Sequence, residues 1–329
     1  MSISAIVPVW NGRELLERLL ASLAAQTEPA AELLVVDNGS RDGAPELARQ
    51  RGARVISMGR NAGFAAAVNR GIQEARGEWI AVLNNDVELA PDYFEKLRAA
   101  DAWFATGKIL SGPPSRPARI DATFDAVCRG GAAWRIGSGR PDGGIFSASR
   151  AIFSPPWTAA LFRAGLFDQI GVLEESFESY LEDVDFGLRC AARRIAGRYV
   201  PSAIAWHRGS ATLGRWHPET VRLIARNQLL LLARHYPARL LLGWSWPILA
   251  AQALWGALAF RHCAGFAWLR GTWQGLCGFA AARGAFQQHD PEPFERLVRE
   301  SEEIIREVQK STGFDTYWKL YFLLTGGEK

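Results

Sequence analysis

The sequence predicts an α/β fold, in which a mostly parallel sheet carries helices on both faces and a helical C-terminal region follows. Short β-branched runs alternate with amphipathic helical patterns over residues 1–101, at the spacing typical of parallel strands. A cluster of small polar or acidic residues follows each of these strands. The 329 residues, 48% hydrophobic and 22% charged, are enough for one large core and an appended unit.

The first elements are predicted by apolar periodicity. Residues 3–9 form a buried strand that ends at the turn-forming Trp10, Asn11 and Gly12, and residues 13–25 place five leucines on one helical face. The elements that follow are strands at 33–36, 55–57 and 79–83, which alternate with helices at 45–51 and 62–75.

The pattern changes after residue 101. Residues 102–150 are rich in Gly, Pro, Ser and Arg, which predicts loops with two short strands. Helices are predicted at 157–166 and 181–194, and an extended segment at 199–206. No internal repeat is present.

The polar clusters after the strands predict a binding rim. Asn11, residues 37–40, Asn61 and residues 84–86 each follow a strand directly. Ligands of parallel sheets bind beyond the carboxyl ends of the strands. Ordinary turn formation explains any single cluster. It does not explain four clusters at the same end of consecutive strands.

Two acidic motifs are the candidates for chemistry. Asn84, Asn85 and Asp86 could hold a divalent cation, or could form a turn that caps a helix starting near Pro91. Residues 182–185 contain three carboxylates, which predicts either a general base or the acidic first turn of a helix, and both can hold at once.

Histidines and cysteines give weaker signals. A lone histidine after an aromatic residue, such as His207, is more often packed or capping than a metal ligand, and His217 before Pro218 predicts a surface turn. The four cysteines are far apart in sequence and form no zinc or redox motif, so we interpret them as reduced thiols.

Composition excludes several function classes. The net charge of +4 is mild and no run of Lys and Arg is long enough for a nucleic-acid arm, so an anionic small molecule or lipid surface explains the bias. The sequence lacks a Gly-rich phosphate loop, paired histidines at helical spacing and a Gly-x-Ser-x-Gly elbow, which argues against kinases, zinc hydrolases and esterases.

The C-terminal third is apolar and rich in tryptophan. Residues 240–260 carry no charge and are flanked by Arg239 and Arg261, so they could span a membrane, lie in its interface or form a buried helical lid. A charged amphipathic helix is predicted at 291–310, and residues 317–324 add an apolar patch.

With these residues in view, the chain resembles the family 2 glycosyltransferases, and within them the bacterial rhamnosyltransferase-like enzymes. The resemblance extends from Ile6 to about Pro237. It rests on residues 7–12, 35–43, 61–65 with Asn69, 83–86 with Pro91 and Asp92, 166–168, 175–177, 180–185, 199–201, His207, and 226–227. The resemblance implies a GT-A, Rossmann-like fold and a nucleoside-diphosphate sugar donor.

The resemblance also implies roles for individual residues. Donor binding would fall to Pro8, Asn11 and Asp37 in the base and ribose pocket, with Asn61, Asn69 and Asn85 nearby. Asp86 would be the principal carboxylate on Mg²⁺ or Mn²⁺, with His207 as second ligand and Asn84 beside them. Asp183 would be the catalytic base of an inverting displacement, and Glu182 would orient the acceptor.

Departures from the family pattern qualify this transfer. Asn84 replaces the first acid of the usual Asp-x-Asp motif, which shifts metal binding toward the diphosphate. The Gly-Gly before Phe-Asp is altered at residues 165–168, and residues 155–158 are Pro-Pro-Trp-Thr in place of a small-residue acceptor strip.

The resulting expectation is a catalytic domain over 1–215, with a donor part at 1–101 and an acceptor part at 102–215. A helical region at 216–329 follows, with its Trp-rich segment at 240–282. We expect a glycan or lipid-linked acceptor, no nucleic acid, and a location in the cytoplasm at the cytoplasmic face of the inner membrane. The alternatives are a nucleotidyltransferase and a non-catalytic membrane scaffold.

Overall fold

A computed structural model describes residues 2–112, 119–209, 216–285 and 289–326. The chain divides into two compact units. The first comprises Met1–Phe124 and Gly137–Thr212, and the second comprises Asp125–Ile136 and Leu213–Lys329. The grouping of residues 125–136 with the C-terminal unit had no signal in the sequence.

The first unit begins with the predicted alternation of strands and helices. Parallel pairing gives the strand order β3, β2, β1, β4. The elements are β1 (Ile3–Val9), α1 (Arg13–Ala24), β2 (Glu32–Asp37), α2 (Ala44–Gln50), β3 (Arg54–Ser57), α3 (Phe64–Glu74) and β4 (Trp79–Leu83). The leucines of α1 at 16, 19, 20 and 23 are buried, which confirms the predicted apolar face.

The sheet continues with strands of both directions. β11 pairs antiparallel with both β4 and β6, and β12 runs parallel to β6, so the sheet is mixed in its second half. The remaining elements up to residue 207 are β5 (Val87–Leu89), α4 (Tyr93–Ala99), β6 (Phe104–Ser111), β7 (Ile120–Ala122), β8 (Asp125–Val127), β9 (Ala133–Arg135), β10 (Arg150–Ile152), β11 (Ala159–Arg163), α5 (Gly165–Ile170), α6 (Glu182–Ala192) and β12 (Gly197–His207).

The prediction of loops over 102–150 was wrong at β6, a long strand in the interior of the sheet. Gly107 lies within this strand. The glycine is required, because an added Cβ would lie 2.2 Å from the backbone oxygen of Ala203, where the β12 register shifts between Val200 and Ile204.

The predicted helix at 157–166 was also wrong, because this segment forms β11. Its Ala and Leu residues are good helix formers, and a short apolar run fits either structure. Hydrogen bonding to β4 on one side and β6 on the other decides for the strand, and residues 159–162 are buried.

The second unit is helical apart from the β8–β9 hairpin. Its helices are α7 (Pro218–His235), α8 (Ala238–Gly243), α9 (Ser245–Arg261), α10 (Gly265–Gly284), α11 (Pro291–Thr312) and α12 (Thr316–Thr325). The apolar segment at 240–260 is thus divided between two helices, with Trp244 at the junction. None of the helices in the described ranges is long and apolar enough to cross a bilayer.

Candidate active site

The rim at the carboxyl ends of the strands holds most of the predicted donor-binding residues. The backbone of Asn11 has a positive φ of 61°, a conformation that asparagine tolerates better than most residues. Its N–H donates to Ser40 Oγ at 2.9 Å, and its side-chain oxygen accepts from the Arg41 N–H at 2.9 Å. Asp37 Oδ1 accepts the Ser40 N–H at 2.8 Å. These bonds join the turn after β1 to the turn after β2.

A cleft of about 580 Å³ opens along this rim. Its volume is in the range of pockets that hold small-molecule ligands. The lining residues are Trp10, Asn11, Asp37, Gly39, Ser40, Arg41, Ser57, Gly59, Arg60 and Asn61. Three predicted donor-binding residues, Asn11, Asp37 and Asn61, therefore line a single cleft. Two arginines and an exposed tryptophan lie beside them, and we had not predicted any of these three as site residues.

Asn61 and Asn85 also hold the rim together. The Asn38 amide nitrogen donates to Asn61 Oδ1 at 3.0 Å, which ties the turns after β2 and β3. The Asn85 amide nitrogen donates to the Asn11 backbone oxygen at 3.0 Å. Gly12 leaves room for this contact, because an added Cβ would lie 2.8 Å from Asn85 Nδ2. Asn85 thus joins residues 84–86 to the cleft along the rim.

Two predicted donor-binding residues lie outside the cleft. Pro8 is within β1 and does not line the cleft. Asn69 is buried in α3, where its amide donates to the backbone oxygen of Leu173 at 2.9 Å and to Glu175 Oε1 at 3.0 Å. Its oxygen accepts the Leu173 N–H at 2.9 Å. The Asn69 amide thus anchors the segment before α6, and its place near the donor stays a prediction.

The structure brings Asp86 and His207 together. Asp86 precedes β5, and His207 ends β12, where it pairs with Val87. His207 Nε2 lies 3.1 Å from Asp86 Oδ1, and both residues are buried. Because β12 runs in the direction of β1 to β4, its carboxyl end belongs to the same rim. The structure thus brings His207 to the rim beside Asp86, and its role as a metal ligand stays a prediction.

Asp121 is a site residue that the sequence did not reveal. Its Oδ2 lies 2.9 Å from His207 Nδ1, on the ring edge opposite Asp86. Asp121 belongs to β7, where the pairing with β6 shifts between Ile109 and Leu110 and leaves Asp121 as the extra residue. Such bulges redirect side chains next to active sites. A single aspartate in a segment predicted as loop gave no signal of this contact.

The two carboxylates change the protonation of the histidine. Burial opposes the charged imidazolium, but hydrogen bonds to Asp121 and Asp86, and their negative charges, outweigh it and raise the pKa of His207 to about 9. Without a metal, the ring is therefore protonated near neutral pH and bridges the two carboxylates.

Asp86 and His207 together fit as two protein ligands of a divalent cation. Octahedral ligands at about 2.1 Å and about 90° lie about 3.0 Å apart. The separation of 3.1 Å between Asp86 Oδ1 and His207 Nε2 matches this spacing. Within the described ranges, however, no group of three or more His, Cys, Asp or Glu residues could hold a metal ion. A cation here would need further ligands from the substrate or water.

A short segment, residues 155–158, connects residues 84–86 to the acidic residues at 182–185. The Asn84 N–H donates to the Thr158 backbone oxygen at 2.9 Å, and Ser154 Oγ donates to the Asp183 backbone oxygen at 3.2 Å. Four residues of chain span at most about 14 Å. The Pro-Pro-Trp-Thr segment at 155–158 therefore lies between the two motifs, and Trp157 is buried.

Asp183 and Glu182 lie at the amino terminus of α6, as predicted. Both are buried, and Asp183 Oδ1 accepts the N–H of Val184 at 2.9 Å. The preceding residues Tyr180 and Leu181 have φ values of 71° and 68°. Non-glycine residues in this region cost about 1 to 3 kcal/mol each and cluster at functional sites. The left-handed backbone of these two residues lies directly before Glu182 and Asp183 and sets the position at which α6 begins.

The third carboxylate of the motif has a structural role. Asp185 is fully buried and pairs with Arg189 at 3.0 Å, and Arg189 also donates to the backbone oxygens of Ile170 and Val172. An aromatic cluster packs against α6, formed by Trp157, Phe162, Phe167 and Phe186. These contacts hold the helix whose first turn carries Asp183.

A second cleft, of about 490 Å³, lies at the amino ends of β6 and β12. Trp103, Arg163 and Arg198 are among its lining residues, and none of the predicted site residues lines it. Because it is at the opposite edge of the sheet, it is separate from the rim described above.

Comparison with known proteins agrees with this arrangement. A model of Glycosyl transferase family 2 matches residues 4–104. The N-acetylglucosaminyl-diphospho-decaprenol L-rhamnosyltransferase of Mycobacterium tuberculosis is 30% identical over 289 residues, and the match covers 75% of this chain and 87% of that protein.

Solved structures resemble the fold at low sequence identity. GalNAc-T7, crystallised with UDP, GalNAc and Mn²⁺, has a TM-score of 0.63 at 14% identity, over 95% of this chain and 58% of that one. The mannosyltransferase PcManGT from Pyrobaculum calidifontis, in complex with GDP-Man and Mn²⁺, has a TM-score of 0.50 at 16% identity, over 98% and 86%. These likenesses establish the GT-A type of fold alone.

Proposed function

The chain belongs to glycosyltransferase family 2, and from this premise we propose that it transfers a sugar to a hydroxyl of a glycan or lipid-linked acceptor, with inversion at the anomeric carbon. The observation that carries the proposal is the convergence of a polar cleft, the Asp86–His207 pair and the strained start of α6 on one unit. Family membership favours glycosyl transfer over the nucleotidyltransferase and scaffold alternatives.

The donor binds in the cleft along the rim. Asp37 and Asn11 offer a carboxylate and an amide to the ribose and base, and the exposed ring of Trp10 offers a stacking surface. Arg41 and Arg60 line the same cleft and carry charge complementary to a diphosphate. This cationic lining supports an anionic sugar nucleotide as the ligand.

Asp86 and His207 hold the cation, which we propose to be Mg²⁺ or Mn²⁺. When bound, the cation neutralises the negative charge that develops on the departing diphosphate. With two ligands from the protein, phosphate oxygens of the donor could supply others. This agrees with Asn84, which stands where the family's Asp-x-Asp motif has its first aspartate. Asp121 holds the His207 ring by its Nδ1 edge, which leaves Nε2 for the cation. The structures of two proteins of similar fold contain Mn²⁺ together with UDP or GDP-Man.

Asp183 is the general base. Its carboxylate takes the proton of the acceptor hydroxyl while that oxygen bonds to the anomeric carbon, and the bond from this carbon to the diphosphate oxygen breaks. Glu182, next to it at the helix start, orients the acceptor. The helix start favours the ionised carboxylate that this step requires.

The relative from Mycobacterium tuberculosis supports a more specific proposal for the substrates. Its name describes a rhamnosyl transfer to a diphospho-decaprenol-linked acceptor. We therefore take deoxythymidine-diphosphate rhamnose as the first donor to test, and a polyprenyl-diphosphate sugar as acceptor. Such a reaction belongs to cell-surface polysaccharide synthesis, and it requires the protein in the cytoplasm at the membrane face where lipid-linked acceptors are made.

The Asp183→Asn variant tests the base. General-base catalysis contributes about 10²- to 10⁴-fold, so the variant should lose transfer by that factor while its donor affinity stays unchanged. Asp101→Asn is the matched control, since this side chain is exposed at the opposite edge of the sheet. Transfer at the wild-type rate by purified Asp183→Asn would show that another group is the base.

A panel of sugar nucleotides, screened for thermal stabilisation with Mn²⁺, identifies the donor. A ligand that binds the native state raises the melting temperature by mass action. Stabilisation by nucleoside triphosphates with release of pyrophosphate, and no response to any sugar nucleotide, would favour the nucleotidyltransferase alternative.

A further inference from the structure

Helix α10 presents its large apolar side chains to the outside. Phe266 is 87% exposed, Trp273 is 69% exposed and Leu276 is 55% exposed, at helical spacing along one stripe. A surface helix of a water-soluble unit has the opposite arrangement, with polar residues outside and apolar residues inside.

The inner face of α10 is made of glycines. An added Cβ at Gly271 would lie 2.1 Å from the backbone oxygen of Arg222, and one at Gly275 would lie 2.8 Å from Leu229 Cβ. Both contacts are to α7, so α10 packs backbone to backbone against it. Glycine faces that allow such close approach are frequent where helices pack in a lipid environment. The glycines thus bring α10 close to α7, Trp268 is partly buried against the cluster of Val221, Ala259 and Ala264, and the most exposed large side chains lie on the outer face.

Helix α9 repeats this arrangement. Trp246 is 55% exposed, Leu249 is 63% exposed and Phe260 is 54% exposed, and all lie on one stripe. α9 and α10 are joined by a short turn, where Phe260 contacts Trp268 at a ring distance of 6.2 Å. The two helices that follow one another in the chain therefore both expose apolar side chains.

The charge of this segment has one sign. Residues 237–289 contain no Asp or Glu, and they contain four arginines. Arg239, Arg261 and Arg270 are exposed, and Arg261 and Arg270 lie one and three positions from Phe260 and Trp273 of the stripes. Arginine stems can lie along an apolar surface while the guanidinium reaches phosphate. Glu219 of α7 is the acidic side chain near Arg270, and it already pairs with Arg222.

We propose that the outer faces of α9 and α10 form a surface that binds anionic lipid bilayers, with the helices in the interface plane and the arginines at the headgroup phosphates. The large apolar side chains enter the boundary of the acyl chains, and tryptophan is favoured at that depth. The inference rests on the proposed function only for the membrane location of the acceptor, because the surface itself is argued from exposure and charge.

A second copy of the chain is the competing occupant. In a two-fold dimer the same patch meets itself, so two arginine-bearing surfaces would be brought together with no carboxylate from α8, α9 or α10 to compensate their charge. Like charges buried in an interface oppose association. An anionic bilayer, in contrast, supplies the missing negative charge.

Vesicle flotation of the full chain tests the proposal. The wild type should float with phosphatidylcholine vesicles that contain phosphatidylglycerol, and more weakly without the anionic lipid or at high salt. The double variant Trp273→Ser, Leu276→Ser should bind about tenfold or more weakly, because two inserted apolar side chains are lost. Arg261→Gln with Arg270→Gln should lose the preference for anionic lipid.

Trp103→Ser is the matched control, since Trp103 is an exposed tryptophan of the first unit and should leave flotation unchanged. Absence of wild-type flotation, or equal flotation of the double variant, would overturn the proposal. A wild-type dimer in sedimentation that the double variant abolishes would assign the surface to a second copy. Stabilisation by a sugar nucleotide with Mn²⁺ is measured on every variant, so loss of that response is a failure of the proposed function and not of the surface.

Discussion

Asp121→Asn tests whether the bulged residue of β7 positions His207, the proposed metal ligand. The substitution keeps the size of the side chain and removes its charge. In the wild type, Asp121 Oδ2 lies 2.9 Å from His207 Nδ1 and fixes the ring with Nε2 toward Asp86. An asparagine can turn its amide so that the ring is held less firmly and in either tautomer.

The magnitude follows from the hydrogen bond that is lost. A hydrogen bond to a charged group contributes about 1.5 to 3 kcal/mol, which corresponds to about 10- to 150-fold in an equilibrium constant. Partners of metal-ligating histidines typically change metal affinity by about 10- to 100-fold. We therefore expect Mn²⁺ to bind Asp121→Asn about 10- to 100-fold more weakly than the wild type.

Mn²⁺ affinity is measured by the electron paramagnetic resonance signal of the free ion with a saturating nucleoside diphosphate, at a series of pH values, so that the proton that His207 releases on metal binding is accounted for in each protein. His207→Gln gives the effect of losing the ring, and Asp101→Asn gives the effect of losing one negative charge at the opposite edge of the sheet. Wild-type Mn²⁺ affinity in Asp121→Asn, together with a large loss in His207→Gln, would refute the positioning role.

Other predictions concern the metal, pH and packing. Asp86→Ala should abolish the dependence of nucleotide binding on Mn²⁺, and an unchanged titration with and without Mn²⁺ would refute its metal role. The pKa of His207 is raised from 6.5 to about 9 in the metal-free protein, so its stabilisation of about 3 kcal/mol is complete below pH 6.5 and is lost as pH rises through 9. Urea unfolding with chelator should show this decline, and His207→Gln should flatten it. Gly107→Ala should lower the free energy of unfolding by about 3 kcal/mol or more, because its Cβ would meet the Ala203 oxygen. Gly165→Ala, with no heavy atom within 4 Å of its Cβ, should not, and equal unfolding of both would contradict the packing argument.

The sequence by itself was sufficient for the first half of the sheet. Strands such as β1 and helices such as α1 are decided by local periodicity, and the polar residues after them lie at a common rim because parallel strands end together. The position of Asp183 at a helix start was also predictable, since acidic residues before an apolar helical pattern are a local signal.

Elements with non-local partners required the tertiary structure. β11 has the composition of a helix, and its two neighbouring strands make it a strand. β6 was predicted within a loop region, and its Gly107 is explained by the bulge of β12 that packs against it. The sequence also gave no sign that Asn69 makes three hydrogen bonds to Leu173 and Glu175, which are more than 100 positions away.

The contact of His207 with Asp86 and Asp121 shows most directly where sequence reasoning ends. Asp86 and Asp121 are 121 and 86 positions away from His207 in the sequence. A β-bulge turns Asp121 toward the histidine. Periodicity reports the environment of a residue relative to its own helix or strand. It carries no information on which distant side chain will complete a hydrogen bond, because strand order and register are determined by packing over the whole sheet.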